Sequence, residues 1–172
     1  KMANPEHSAK AGVSIIIVDK RDRVLVGKRK GSHGAGLLSI PGGHLEFGET
    51  IATCCDRELT EEIGANFNGN YTKLSYSEDF FQHNDVLKHY VTLYLVVKDV
   101  DSETFEVKNM EPNKCEGWEW IHYSKLPEQM FCDTHQQIKN LFTKQATRFQ
   151  SVSAHIAADS QPFQAALGPV PP

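Results

Sequence analysis

Apolar and charged segments alternate along the first part of the chain in a pattern that predicts strands. Residues 13–18 are apolar, residues 19–22 are charged, and the apolar pattern resumes at 24–26, so we expect two strands joined by a charged turn. The glycine-rich segment 31–36 predicts a loop, and a short extended segment follows at 37–40. Strands therefore open the fold.

A helix is predicted after these strands, beginning at Ile51 and ending at Gly64. Thr50 can cap its start, and glycine is a usual stop signal at a helix end. Because successive helical residues turn by about 100°, three glutamates share one face. They are Glu58, Glu61 and Glu62. The adjacent arc is apolar and would pack against a sheet, which fixes the direction in which the glutamates point. Its members are Ala52, Cys55, Leu59 and Ile63.

The second half of the chain repeats the order of strands followed by a helix. β-branched and aromatic residues predict strands at 72–77, 90–97 and 118–121. Residues 133–147 have helical character, with an apolar stripe at helical spacing. This order indicates an α/β fold in which a central mixed sheet lies between helices.

Composition adds bounds on the domain and its partners. At 172 residues the chain can bury one core, and we predict a single domain at 11–147 with a flexible C-terminal extension at 148–172. The formal net charge is −4 and no basic run is present, which disfavours a nucleic-acid polymer as partner. No apolar stretch approaches the roughly 20 residues that span a bilayer, so we expect a cytoplasmic protein.

The four cysteines lack the spacing of a zinc site and are predicted to be free thiols. A reactive-cysteine enzyme is the alternative, but no feature of the sequence distinguishes one thiol from the others.

The glutamate face of the predicted helix favours a metal site. Like charges three and four residues apart destabilise a helix, and a divalent cation would remove that repulsion. The glycines at 42–43 allow close backbone approach, so the carbonyl of Gly43 can add an oxygen ligand. Oxygen ligands favour Mg²⁺, with Mn²⁺ as the alternative. Arg57 can hold a carboxylate in place through a forked pair. A solvated acidic helix face is the simpler alternative.

The surrounding residues favour the metal site over the solvated face. They match a pattern of seven fixed positions and one apolar position, which arises by chance about once in a million chains of this length. The matching residues are Gly43, Glu49, Arg57, Glu58, Leu59, Glu61, Glu62 and Gly64. This pattern resembles the box of the Nudix superfamily. The segments 27–32, 40–49, 108–112 and 115–120 are similar to its MutT-like branch, which includes plant cytosolic Nudix hydrolases.

The resemblance covers residues 11–145 and implies a Nudix α/β/α sandwich. It implies that Glu58 and Glu62 are the principal metal ligands and that Glu61 and the Gly43 carbonyl support them. It also implies that Glu49 and Arg57 brace the box. The implied substrate pocket consists of Arg29, Ile40, His44, Thr92 and Phe131. Core packing is the alternative role for Ile40, Thr92 and Phe131, and a surface ion pair is the alternative for Arg29.

The activity implied by the resemblance is magnesium-dependent hydrolysis of a nucleoside triphosphate to monophosphate and pyrophosphate. A purine nucleotide, dGTP-like or modified, is the expected substrate. Another diphosphate, such as an isoprenyl diphosphate or a nucleoside diphosphate derivative, is the alternative. A non-catalytic nucleotide-sensing module is a further alternative. Similar enzymes are homodimers, so a homodimer is expected, with Trp118 and Trp120 as apolar residues for core or dimer packing.

Overall fold

A computed structural model describes residues 8–31, 34–83 and 86–143. These residues form seven strands and two α-helices. The strands are β1 (Lys10–Asp19), β2 (Arg23–Arg29), β3 (Leu38–Ser39), β4 (Gly42–His44), β5 (Thr72–His83), β6 (Val86–Val100) and β7 (Cys115–His122). The helices are α1 (Ile51–Ile63) and α2 (Thr134–Phe142).

The strands form one mixed sheet, which confirms the predicted α/β class. Its main path runs in the order β3-β2-β1-β6-β5, while β4 pairs with β1 and β7 pairs with β2. The β1 and β6 strands are parallel, and the other pairs are antiparallel. Side chains alternate across a strand, so the central strand β1 contributes to both faces of the sheet.

Two apolar clusters lie on opposite faces of this sheet. Ile15 and Ile17 belong to a cluster with the apolar side of α1, and Ile16 and Val18 belong to a cluster with α2. Each helix therefore covers one face, as the predicted sandwich requires. Trp118 and Trp120 pack against the α1 cluster, so they serve the core in this chain.

The signals at the ends of α1 act as predicted. The Thr50 hydroxyl accepts a hydrogen bond from the backbone N–H of Thr53, and Gly64 adopts the left-handed conformation at φ 71°. The apolar arc of the helix is buried together with Cys54. Because the helix has a defined start, end and buried side, the positions of its glutamates are fixed.

Several element bounds differ from the sequence prediction. The β5 and β6 strands extend well beyond 72–77 and 90–97 because they pair with each other along a long hairpin. Backbone hydrogen bonds between the two strands include polar residues, which the pattern of β-branched and aromatic residues does not predict to be in a strand. Residues 42–44 form β4 rather than only a turn, since β1 offers them a pairing edge. The α2 helix ends at Phe142, and the predicted extension 148–172 lies outside the described residues.

The state of the four cysteines was also predicted from the sequence. Cys54, Cys55, Cys115 and Cys132 are free, which confirms the prediction for the cysteines. In the described part of the chain, neither helix combines the length and apolar character needed to cross a membrane.

Candidate active site

The acidic face of α1 lies where the helix passes beside β4. Leu59 and Ile63 are fully buried against the sheet, which directs the glutamates towards the strand. The three carboxylates differ in exposure. The side chain of Glu58 is 12% exposed and that of Glu61 is 52% exposed, while Glu62 is partly buried. The three acids therefore sit in three different environments.

Glu62 is the carboxylate that α1 places deepest beside β4. Its Oε2 accepts a hydrogen bond of 2.9 Å from the backbone N–H of Gly42. Burial raises the pKa of Glu62 from its ordinary value of 4.5 to about 8, and the nearby charges of Glu58 and Glu111 act in the same direction. The Gly42 hydrogen bond and Arg29 oppose this rise of the pKa without cancelling it. Negative charge at Glu62 is therefore incompletely compensated by the protein.

Glu58 lies directly against the backbone of Gly43. A Cβ on Gly43 would stand 2.3–2.4 Å from all three atoms of the Glu58 carboxylate, so no larger residue fits while the carboxylate stays in place. Burial raises the pKa of Glu58, and hydrogen bonding to Arg57 opposes that rise. The Gly43 carbonyl oxygen lies 2.7 Å from where a Cβ of Gly12 would be, so a side chain on Gly12 would crowd it.

Arg57 organises the residues around Glu58. Its Nε and Nη2 donate to the two carboxylate oxygens of Glu49 at 2.7 and 3.0 Å. Its Nη1 donates to Glu58 at 2.8 Å and to Glu61 at 3.3 Å, and Nη2 also donates to the His44 carbonyl at 2.9 Å. The forked pair that was predicted for Arg57 is thus made with Glu49, and Glu61 receives a single, longer bond.

The charges of this network stabilise one another. Hydrogen bonds from Arg57 lower the pKa of Glu49 from 4.5 to about 2. The same bonds raise the pKa of Arg57. The pair of Arg57 and Glu49 therefore stays ionised at neutral pH and anchors the loop before α1 to the helix.

The described residues contain no group of three or more Asp, Glu, His or Cys side chains gathered closely enough to hold a metal as they stand. Arg57 holds Glu58 and Glu61, and the Gly42 backbone holds Glu62. The ligand roles predicted for these glutamates and for the Gly43 carbonyl remain predictions.

An open pocket with a volume of about 80 Å³ lies next to Glu62. Its walls combine acids, cations and one aromatic side chain. They are formed by Arg29, Lys30, Ser39, Glu62, Glu111, Lys114, Cys115 and Trp118. A cavity that joins a buried carboxylate to several cations suits a ligand that carries both a metal and phosphate groups.

The residues predicted to bind substrate do not all line one pocket. Arg29 lines the pocket, and its guanidinium carbon lies 3.8 Å from the centre of the Phe131 ring. Ile40 is buried in the α2 cluster, and Thr92 is buried on β6. His44 is exposed, with its ring centre 5.3 Å from that of Tyr90. Of these five residues, only Arg29 is among the residues that line the pocket beside Glu62.

Sequence comparison identifies the family to which this arrangement of residues belongs. The family profile described as NUDIX domain matches residues 9–142, which is most of the chain. The chain belongs to the Nudix family. An oxidized purine nucleoside triphosphate hydrolase from Danio rerio is 26% identical over 122 residues, which cover 70% of this chain and 72% of that protein.

Solved structures share the Nudix fold. A MutT NUDIX hydrolase from Burkholderia pseudomallei has a TM-score of 0.68 at 24% identity, covering 77% of this chain and 98% of that one. A bifunctional NMN adenylyltransferase/ADP ribose pyrophosphatase from Francisella tularensis, complexed with AMP and a Mn ion, has a TM-score of 0.62 at 22% identity. That match covers 80% of this chain and 42% of the longer protein. The chain is a Nudix pyrophosphohydrolase, and Nudix hydrolases generally use divalent metal ions.

The Nudix pocket also contains residues that the sequence analysis did not single out, chiefly Lys30, Glu111 and Lys114. They come from the end of β2 and from the connection between β6 and β7, far from the box in sequence. Glu116, near the start of β7, pairs with Lys28 at 3.2 Å and is half exposed. Lys30 and Glu111 fall within the segments 27–32 and 108–112 that carry the family resemblance, which is the signal that could have identified them.

Proposed function

We propose that the chain is a magnesium-dependent pyrophosphohydrolase of nucleoside triphosphates, with a purine nucleotide as substrate, and that it releases monophosphate and pyrophosphate. The observation that carries this proposal is the position of Glu62, a buried and incompletely compensated carboxylate at the wall of a pocket lined by cations. The Danio rerio relative, which is named as a hydrolase of oxidized purine nucleoside triphosphates, supports the choice of a purine.

The residues present fit a divalent cation. Glu58 fills the space that the missing side chain of Gly43 leaves, and Glu62 lies beside it in a partly buried position where a bound cation would favour its ionised form. Both offer hard oxygen ligands, which suit Mg²⁺ and also Mn²⁺. In this proposal Glu58 and Glu62 hold the ion, with support from Glu61 and the Gly43 carbonyl. The Mn ion in the Francisella tularensis neighbour is consistent with such a donor set.

The reaction adds water across a phosphoanhydride bond. A divalent cation held by Glu58 and Glu62 would supply positive charge to the phosphate oxygens and make a water easier to ionise. In the proposed reaction water attacks phosphorus, the bridging bond between the first and second phosphates breaks, pyrophosphate leaves, and one water proton passes to a carboxylate of α1 or to solvent. Arg57 keeps Glu58 oriented through its bonds to Glu49 and to the His44 carbonyl. Arg29, stacked on Phe131, contributes a cation to the substrate pocket.

A substrate panel with product identification tests this proposal. Purified enzyme with Mg²⁺ would be incubated with dGTP, ADP-ribose and geranyl diphosphate, and phosphorus NMR would identify the products. We expect the highest kcat/KM for the purine triphosphate, with pyrophosphate as product. Glu62→Gln should lose most of the turnover, while Glu103→Gln, in a surface ion pair with Arg21, should keep it. Release of orthophosphate from dGTP, or full activity of Glu62→Gln, would contradict the proposal.

A nucleoside diphosphate derivative is the second candidate substrate. The fold neighbour named as an ADP ribose pyrophosphatase favours it, and its test is the ADP-ribose arm of the same panel. The pocket walls carry Arg29, Lys30, Glu111 and Lys114, which suit a polar ligand better than an isoprenoid chain. A non-catalytic sensing module is disfavoured because the box keeps all of its glutamates.

A homodimer is part of the proposal, and the hairpin of β5 and β6 supports it. Tyr76 and Phe80 are 63% and 62% exposed, and Leu87 is 58% exposed. The pairing register places all three on one face of the hairpin. Exposed apolar side chains on one face are suited to an interface between two copies. Light scattering should give twice the chain mass, and the mass of a single chain would contradict a homodimer.

A further inference from the structure

The connection between β6 and β7 is fixed to the end of the catalytic helix. The backbone N–H of Lys108 donates to the carbonyl of Ile63 at 3.0 Å, and that of Met110 donates to the carbonyl of Glu62 at 3.1 Å. These carbonyls belong to the last turn of α1, where a helix lacks partners of its own. The connection therefore has a defined position relative to the carboxylate of Glu62.

A tight turn follows immediately and presents a lysine to the pocket. The backbone N–H groups of Lys114 and Cys115 both donate to the carbonyl of Glu111, at 2.9 and 3.0 Å. The N–H of Lys30 donates to the carbonyl of Lys114 at 2.7 Å, which ties the turn to the end of β2. Both lysines line the pocket beside Glu62. The backbone thus holds the two lysine residues next to each other at the pocket.

The ammonium group of Lys114 is available to a ligand. Its Nζ lies 2.7 Å from Oε1 of Glu111, and its side chain is 73% exposed. An exposed ion pair of this kind stabilises a protein by only about 0–1 kcal/mol, so a multiply charged anion can replace Glu111 at little cost. Lys30 Nζ is bonded only to a carbonyl, that of Pro112, among the contacts described for it. Neither lysine is held by a buried carboxylate.

The pocket combines negative charge from α1 with positive charge from other segments. Glu62 lines it together with Lys30 and Lys114, and the charge of Lys114 interacts with both Glu62 and Glu58. Arg29 adds a third positive charge to the lining, so the lining has more positive than negative side chains. A phosphate chain that starts at the glutamates therefore meets positive charge in the same pocket.

We propose that Lys114, with Lys30 beside it, binds the terminal phosphate of the substrate and so sets a preference for triphosphates over diphosphates. This inference rests on the proposed function, since it assigns a part of the same substrate to a part of the same pocket. A nucleoside diphosphate lacks the terminal group that Lys114 would contact, so the contribution of Lys114 is specific to the longer phosphate chain.

Steady-state kinetics with dGTP and dGDP tests this inference. The informative variants are Lys114→Gln, which removes the charge, and Lys114→Arg, which keeps it. Lys73→Gln, an exposed lysine at the start of β5, is the matched control. We expect Lys114→Gln to raise the KM for dGTP about tenfold, as the loss of a charge-assisted contact to phosphate does, and to leave the KM for dGDP unchanged. Lys114→Arg and the control should resemble the wild type.

Two results would overturn the inference. One is an unchanged KM for dGTP in Lys114→Gln, and the other is an equal rise of KM for dGTP and dGDP. Folding is checked by comparing the Tm values of all variants.

A separate binding measurement keeps the inference testable if the proposed function fails. If the wild type turns over neither nucleotide, calorimetry with inorganic tripolyphosphate and pyrophosphate in the presence of Mg²⁺ replaces the kinetics. Weaker binding of tripolyphosphate to Lys114→Gln than to the wild type would then support the subsite although the proposed reaction is wrong. Equal binding to both proteins would reject the subsite.

Discussion

Replacing Glu62 with glutamine should make the metal-free protein more stable while it removes activity. The pKa of Glu62 is raised from 4.5 to about 8 in the folded protein, chiefly by burial. Between these two values the unfolded chain releases a proton that the folded protein keeps. The stability of the wild type therefore falls as the pH rises through this window and levels off above it. Below the window both states are protonated, and Glu62 has no effect.

The size of the effect follows from the shift of the pKa. Each unit is equivalent to about 1.36 kcal/mol, so the full shift sets an upper limit of about 5 kcal/mol. Glu62 is only partly buried, and solvent relaxation reduces this value, so we expect about 3 kcal/mol near pH 8. For a chain of this size that corresponds to a rise of roughly 6–12 °C in Tm. The glutamine keeps an oxygen that can accept the Gly42 N–H, so the hydrogen bond is not lost.

Thermal unfolding of both proteins across pH, in the presence of a chelator, measures this difference. The Tm difference between Glu62→Gln and the wild type should be close to zero at about pH 4.5 and should grow steadily towards about pH 8. Added Mg²⁺ should stabilise the wild type at the upper end of the range and have little effect on the variant. A Tm difference that does not depend on pH, or a variant less stable than the wild type throughout, would show that the pKa of Glu62 is not raised by burial.

Two further predictions concern the neighbours of Glu58. Gly43→Ala places a methyl group on the Glu58 carboxylate and should lower kcat at least about tenfold in a steady-state assay while the Tm changes little, because only a flexible side chain has to move. Wild-type kcat in this variant would contradict the close packing. Glu49→Gln removes the charge that Arg57 binds and should lower stability by about 1–2 kcal/mol in a denaturant titration at neutral pH. Because the pKa of Glu49 is lowered to about 2, this loss should disappear as the pH falls from 4.5 towards that value, and a loss that persists there would contradict the assignment.

The helix and its acidic face could be predicted because their signals are local. Thr50 and Gly64 mark the ends of α1, and the spacing of the glutamates requires only the helical period. The apolar run at 13–18 likewise predicted a strand, and the structure places its side chains in the clusters on both faces of the sheet. In these cases the prediction requires only residues that are neighbours in the sequence.

The composition of the pocket could not be predicted because it depends on contacts between distant segments. The charge of Glu111 acts on Glu62 because backbone hydrogen bonds hold the connection before β7 against the last turn of α1. The fork of Arg57 goes to Glu49, eight residues earlier in a loop, rather than to the neighbouring acid on the helix. The raised pKa of Glu62 depends on burial, which no sequence pattern states. Such features follow from the packed structure alone.

Carboxylates of α1 hold a divalent cation in the proposed mechanism, and Mn²⁺ binding measured by electron paramagnetic resonance is the sharpest test of this role. In a titration at neutral pH the wild type should bind Mn²⁺ and release it to excess Mg²⁺. Glu58→Gln and Glu62→Gln should each weaken the binding at least about tenfold. Glu103→Gln, on the surface, should bind like the wild type. Equal affinity in all four proteins would show that neither Glu58 nor Glu62 binds the cation.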